Sequence, residues 1–214
     1  MKSNAKVLGL VQLAFFSAII IVMALVPSLG YIPLGVTRAT IIHIPVIIGS
    51  IMLGPKKGAF LGGLFGLTSL LANTFSPTVT SFVFSPFYSI GDAHGNGWSL
   101  VICFLPRILT GIVPFYVFRG IRTLMMKGYK NAETLPLVAA GLAGSLTNTL
   151  LVMNMIFLFF HDSYAGARGV ASEALYGVIL GVIGVNGIPE AIVAAILTLA
   201  VGKALLRFTR KKED

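Results

Sequence analysis

The stretch LPLVAAGLAGSLTNTLLVMNMIFLFF, residues 135–160, runs without a single Asp, Glu, Lys or Arg. A helix needs about 20 largely apolar residues to cross a bilayer, so this run reads as a membrane span. Five further windows have the same character: residues 7–29, 39–54, 58–75, 98–118 and 176–206. The window at 39–54 is short, and the last contains Gly187 and Pro189. The pattern predicts an all-α integral membrane protein, a six-transmembrane-helix bundle forming one membrane domain over residues 1–214. The first window follows Lys2 and Lys6 as a signal peptide would. It is long and lacks a small-x-small cleavage site, and so reads as a retained helix.

Composition agrees with the spans. Of 214 residues, 56% are hydrophobic and 11% charged, with a mean hydropathy of +0.92. A soluble domain carries about 25% charged residues, so lipid must cover most of this surface. The single cysteine, Cys103, excludes an internal disulfide and a Cys-based metal site; it reads as a small apolar residue in a helix. The net charge of +9 would elsewhere suggest nucleic acid, but the basic residues alternate with the spans instead of lining one polar face. Thirteen of the sixteen fall in four segments: Lys2 and Lys6; Lys56 and Lys57; Arg119, Arg122, Lys127 and Lys130; and Lys203, Arg207, Arg210, Lys211 and Lys212. With six spans these segments share one side, which the positive-inside rule makes cytoplasmic. Both termini are then cytoplasmic in a multi-pass protein of the cell membrane.

The connections on the other side are different. Residues 30–38, 76–97 and 161–172 are rich in Gly, Pro, Ser and Thr, with aromatics at Tyr31, Phe82, Phe84, Phe87, Tyr88 and Tyr164. Long loops of this kind serve as lids or binding loops; an interfacial aromatic belt is the alternative reading of the rings.

Within the spans, Gly58, Gly62 and Gly66 recur every four residues and form a face that another helix can approach closely. Asn73 continues that face. Gly141, Ser145 and Asn148 make a second stripe. The segments at 63–68 and 141–147 resemble each other, as a relic of duplication or as two glycine-rich faces alike by chance.

Charged groups inside spans cost about 2.5–3.5 kcal/mol each on insertion scales and need a partner or a purpose. Arg107 and Glu190 stand out. Arg107 lies 12 residues before Arg119 and Glu190 lies 13 before Lys203, which puts both ~18–20 Å from the inner boundary. Asn148 reaches a similar depth, Thr110 shares a face with Arg107, and Asn186 sits one turn before Glu190. Two arrangements fit this layer. One is a small-molecule pocket open to the outside; the other is an Arg107–Glu190 ion pair locking two helices, with the asparagines as interhelical hydrogen bonds.

His43, His94 and His161 fall in no metal-ligand spacing, and no Ser/His/Asp set, P-loop or nucleotide fingerprint occurs. The chain reads as a non-enzyme without cofactor or metal. A transporter built this way must use an ion gradient or borrow ATP hydrolysis. A self-sufficient carrier coupled to protons through Glu190 is therefore one reading, and an intramembrane enzyme would have only His43, Glu190 and scattered hydroxyls to use.

Several segments together resemble a known family. Six spans in about 200 residues, the Ala14-Phe-Phe-Ser-Ala18 repeat on the first helix, the Leu53-Gly-Pro-Lys-Lys-Gly58 turn, Pro106-Arg-Ile-Leu-Thr-Gly111 and Gly144-Ser-Leu-Thr-Asn148 resemble the substrate-binding S components of energy-coupling factor (ECF) vitamin transporters. The likeness is greatest to the pantothenate group, while riboflavin, folate and pyridoxine relatives share the architecture. The resemblance implies a bacterial importer subunit that captures a vitamin outside and releases it inward. It would work with a transmembrane coupling subunit, docked through Ala14 and Ala18, and two cytoplasmic ATPases. Pantothenate carries a carboxylate, an amide and two hydroxyls. These would suit the Arg107 guanidinium with Asn73, Asn148, Asn186, Glu190 and Thr110 as polar partners; a flavin would instead call on the loop aromatics.

Overall fold

The computed structural model describes residues 2–26, 30–34, 37–125 and 133–210. Residues 27–29 of the first window, Gly35 and Val36 of the first loop, and Lys127, Lys130, Lys211 and Lys212 lie outside them. The order of elements is α1 (Lys2–Leu25), a hairpin of β1 (Tyr31–Leu34) and β2 (Thr37–Thr40), α2 (His43–Leu53), α3 (Pro55–Phe75), a short 3₁₀ turn (Ser81–Val83), a second hairpin of β3 (Ser89–Ile90) and β4 (Ala93–His94), α4 (Gly97–Thr110), α5 (Val113–Met125), α6 (Thr134–Arg168), a 3₁₀ turn (Ser172–Ala174), α7 (Leu175–Val182), a π-helical turn (Ile183–Gly187) and α8 (Ile188–Arg210).

Among the described residues, five helical stretches are long and apolar enough to cross a membrane: Lys6–Leu25, Pro55–Phe75, Gly97–Met125, Thr134–Arg168 and Ser172–Phe208. The sixth expected span, the window at 39–54, is a shorter apolar helix. The window at 39–54 yields an α2 of 11 residues, about 16 Å long, because Ala39 and Thr40 belong to the hairpin. A helix that is apolar all round is normally an interior one, and every residue of α2 from His43 to Ile51 is buried. Protein rather than lipid surrounds α2, so it need not match the bilayer thickness. Gly54, at φ 91°, closes α2, and Pro55 opens α3, a left-handed glycine followed by a first-turn proline that reverses the chain sharply.

The other windows shift at their ends for local reasons. The run at 98–118 breaks at Gly111–Ile112, since Pro114 has no N–H to give the Thr110 carbonyl. Residues 161–168, expected as loop, continue α6 past a kink at Phe160 (φ −133°, ψ 26°). The helix stops at Gly169 in a left-handed cap (φ 67°). The last stretch widens into the π turn just before Pro189, whose ring would clash with the residue 185 carbonyl in a regular helix.

The glycine stripe of α3 has a matching partner. A Cβ at Gly58 or Gly62 would collide with the backbone of Gly111 or Arg107, and one at Gly66 with the Phe104 ring beside the Cys103 carbonyl, so α3 and α4 pack closely along about two turns. The Cys103 thiol donates to the Gly66 carbonyl at 3.2 Å. Gly141 lets α6 touch the Ala194–Ala195 backbone of α8 in the same way. One apolar core joins Phe16, Ile20, Ile47, Leu61, Phe65 and Leu137. A second joins Phe82, Ile102, Val152, Ile156, Phe160 and Leu175 near the hairpins. Outward-facing Val7, Leu10, Val11, Phe15 and Val22 leave much of α1 for lipid or a partner.

Candidate functional site

A cavity opens among the helices at the hairpin end, with about 850 Å³ of empty space counted out through its open mouth. Five of the six residues expected as substrate contacts line it: Asn73 from α3, Arg107 from α4, Asn148 from α6, Asn186 from the π turn and Glu190 from α8. Thr110 does not. Its hydroxyl is fully buried one turn further along α4 and donates to the Pro106 carbonyl at 2.8 Å, and the Gly144 carbonyl of α6 lies 3.5 Å away. Thr110 therefore belongs to the α4–α6 seam.

Arg107 is held by its surroundings. The α3 stripe fixes its backbone, its Nη1 donates to the Ile102 carbonyl at 2.7 Å, and its guanidinium carbon lies 5.5 Å from the Phe65 ring centre and 5.1 Å from that of Phe84. Two rings against a cation in a water-poor site stabilise it by cation–π attraction. No salt bridge between Arg107 and Glu190 is seen among the described residues. The Glu190 carboxylate instead accepts the backbone N–H of Thr40 from the hairpin at 2.8 Å.

The three asparagines are used differently. Asn73 Nδ2 donates to the Ser69 carbonyl at 2.8 Å, and its Oδ1 accepts from the Ser81 hydroxyl at 2.7 Å. Ser81 Oγ in turn accepts the Thr78 N–H at 2.8 Å. Asn73 thus ties the loop after α3 to the end of that helix. From the other side Ser99 Oγ donates to the Phe82 carbonyl at 2.7 Å, so Phe84 reaches Arg107 from a loop anchored at both ends. Asn148 Oδ1 is buried and has no hydrogen-bond partner among the described residues; it is an acceptor that a donor entering the cavity could use. Val152, Met153 and Ile156 supply an apolar wall. The site therefore combines one buried guanidinium, one carboxylate, amide and hydroxyl groups and a short apolar face.

A model of the family described as "ECF transporter, substrate-specific component" matches residues 9–202. The chain belongs to this family. Two curated relatives extend over nearly its whole length. The Pantothenic acid transporter PanT of Lactococcus lactis subsp. cremoris (strain MG1363) is 40% identical over 207 residues, 95% of this chain and 96% of that protein. The Pantothenate transporter PanT of Leuconostoc mesenteroides subsp. mesenteroides is 34% identical over 210 residues, 95% of each chain. As an S component with several long apolar helices, this is a multi-pass membrane protein whose relatives are transporters rather than enzymes.

Some lining residues of this S component escape sequence reading. Thr40, Ser69, Thr78 and Thr80 are small hydroxyl residues of a kind scattered through every span. Tyr164 also lines the cavity, but only because α6 continues beyond its kink. Its hydroxyl accepts from Arg168 Nη2 at 2.9 Å and Nε at 3.2 Å. Arg168, within the 161–172 segment read from the sequence as a connection, thereby supports the cavity wall. Ala14 and Ala18 are exposed on α1, on the side away from the buried Phe16 and Ile20.

Proposed function

We propose that this S component captures pantothenate from outside the cell and delivers it inward, working with an ECF transmembrane coupling subunit and two cytoplasmic ATPases. The observation that carries the reading is Arg107. It is a buried, ring-flanked cation lining a cavity with amide and hydroxyl groups, in a chain 40% identical to a protein named for pantothenic acid. The guanidinium holds the vitamin carboxylate, Asn148 and Asn186 meet its amide and hydroxyls, Asn73 holds the loop that covers it, and the apolar wall takes the dimethyl carbon. Glu190 closes the site opposite the cation.

In this reading α2 counts as the sixth helix of the bundle, both termini are cytoplasmic, and the hairpins face outward over the bacterial plasma membrane. The grouping of thirteen of sixteen basic residues into four segments supports that orientation. Ala14 and Ala18 provide the flat surface on which the coupling subunit docks.

The test is Arg107→Ala. A lost carboxylate contact of the charge-assisted kind weakens binding by about 10- to 100-fold, so the variant should elute as folded protein from detergent gel filtration and lose pantothenate binding in a radioligand assay. Wild-type affinity in a folded Arg107→Ala protein contradicts the assignment.

A further inference from the structure

The β1–β2 hairpin meets the bundle through one edge of its ladder. Antiparallel pairing puts Tyr31 opposite Thr40 and Ile32 opposite Ala39, and the Ile41 N–H donates to the Gly30 carbonyl at 3.1 Å. That bond makes Gly30 and Ile41 a hydrogen-bonded pair, so the next pair, Tyr31 and Thr40, is a non-hydrogen-bonded one. The Thr40 N–H therefore points away from β1, at an edge that needs another acceptor. Glu190 Oε1 supplies it at 2.8 Å, across 150 residues of sequence.

Both partners of this bond line the cavity, and Glu190 is 8% exposed. Oε1 is the carboxylate oxygen that takes the Thr40 N–H, and the same side chain lines the cavity. One side chain thus joins the hairpin to the cavity wall.

We propose that Glu190 is a positioning residue that seats the β1–β2 hairpin over the cavity by accepting the Thr40 N–H, so that the hairpin's hold on a bound molecule depends on this acceptor. In its transport consequence the proposal rests on the reading of the cavity as the substrate site; in its structural content it does not. A carboxamide can accept the same N–H, whereas a methyl group cannot, so the role separates into an acceptor part and a charge part.

The test compares wild-type protein with Glu190→Gln and Glu190→Ala in nanodiscs, first without added vitamin. Amide hydrogen exchange is followed at Thr40 by fragmentation mass spectrometry. Loss of the acceptor should raise exchange at Thr40 about tenfold in Glu190→Ala, while Glu190→Gln retains the protection. Equal protection in Glu190→Ala, or exchange in Glu190→Gln as fast as in Glu190→Ala, overturns the proposal. The second arm measures release of preloaded radiolabelled pantothenate. Glu190→Ala and Thr40→Pro, which deletes the donor at an edge position that tolerates proline, should each speed release about tenfold, and the double variant no further. Multiplied effects in the double variant overturn the coupling between the two groups. Failure of the wild type to retain pantothenate counts against the substrate reading, while the exchange arm still decides the seat.

Discussion

At the scale of single residues, the site turns on how a guanidinium is kept charged and oriented inside a membrane protein. Arg107 has a carbonyl on one edge and rings on its flanks. A lysine there would keep the charge but lose planar stacking and paired donors. Arg107→Lys should therefore bind pantothenate about tenfold more weakly than wild type in a titration; unchanged affinity would show that charge alone suffices. Arg107 and Glu190 were legible in the sequence because charge is so scarce in these spans that each intramembrane ion demands an explanation. Their relation was not. Equal depth along two helices is compatible with an ion pair, and the arrangement found depends on a backbone N–H of Thr40, which leaves no mark in residue type. Thr110 misled because sharing a helical face with Arg107 says nothing about the neighbouring helix, and α6 occupies that position.

At the scale of elements, the α3–α4 contact is the frame that carries Arg107. Glycine spacing made this face readable, and the partner stripe at Cys103, Arg107 and Gly111 follows from four-residue periodicity on both helices. Gly62→Ala would drive a methyl into the Arg107 carbonyl and should destabilise the protein by about 1–3 kcal/mol, seen as a lower melting midpoint in detergent. Gly63 has open space at its Cβ, and Gly63→Ala should melt no lower than wild type, since alanine is the better helix former. Equal losses in both variants would contradict the packing account. Hydropathy located the helices but missed where they yield to hairpins or continue past them. Apolar content alone does not separate a lipid-facing helix from the enclosed α2. The extension of α6 to Arg168 was hidden by His161, Asp162 and the small residues that follow, which look like loop and are helical in fact.

At the scale of the whole molecule, the exposed apolar face of α1 has to be covered by lipid or by another protein. Ala14 and Ala18 make part of that face flat. Replacing both with Trp should abolish co-purification with the coupling subunit and leave pantothenate affinity within about twofold of wild type, because neither residue lines the cavity. Retained assembly would remove the docking assignment, and lost binding would show that α1 supports the cavity. The central claim, a pantothenate site centred on Arg107, is most directly tested by titrating the purified S component with radiolabelled pantothenate against unlabelled riboflavin, folate and pyridoxine. The account predicts saturable binding at one molecule per chain that these three vitamins do not displace. Absence of saturable binding, or displacement by one of them, would contradict it.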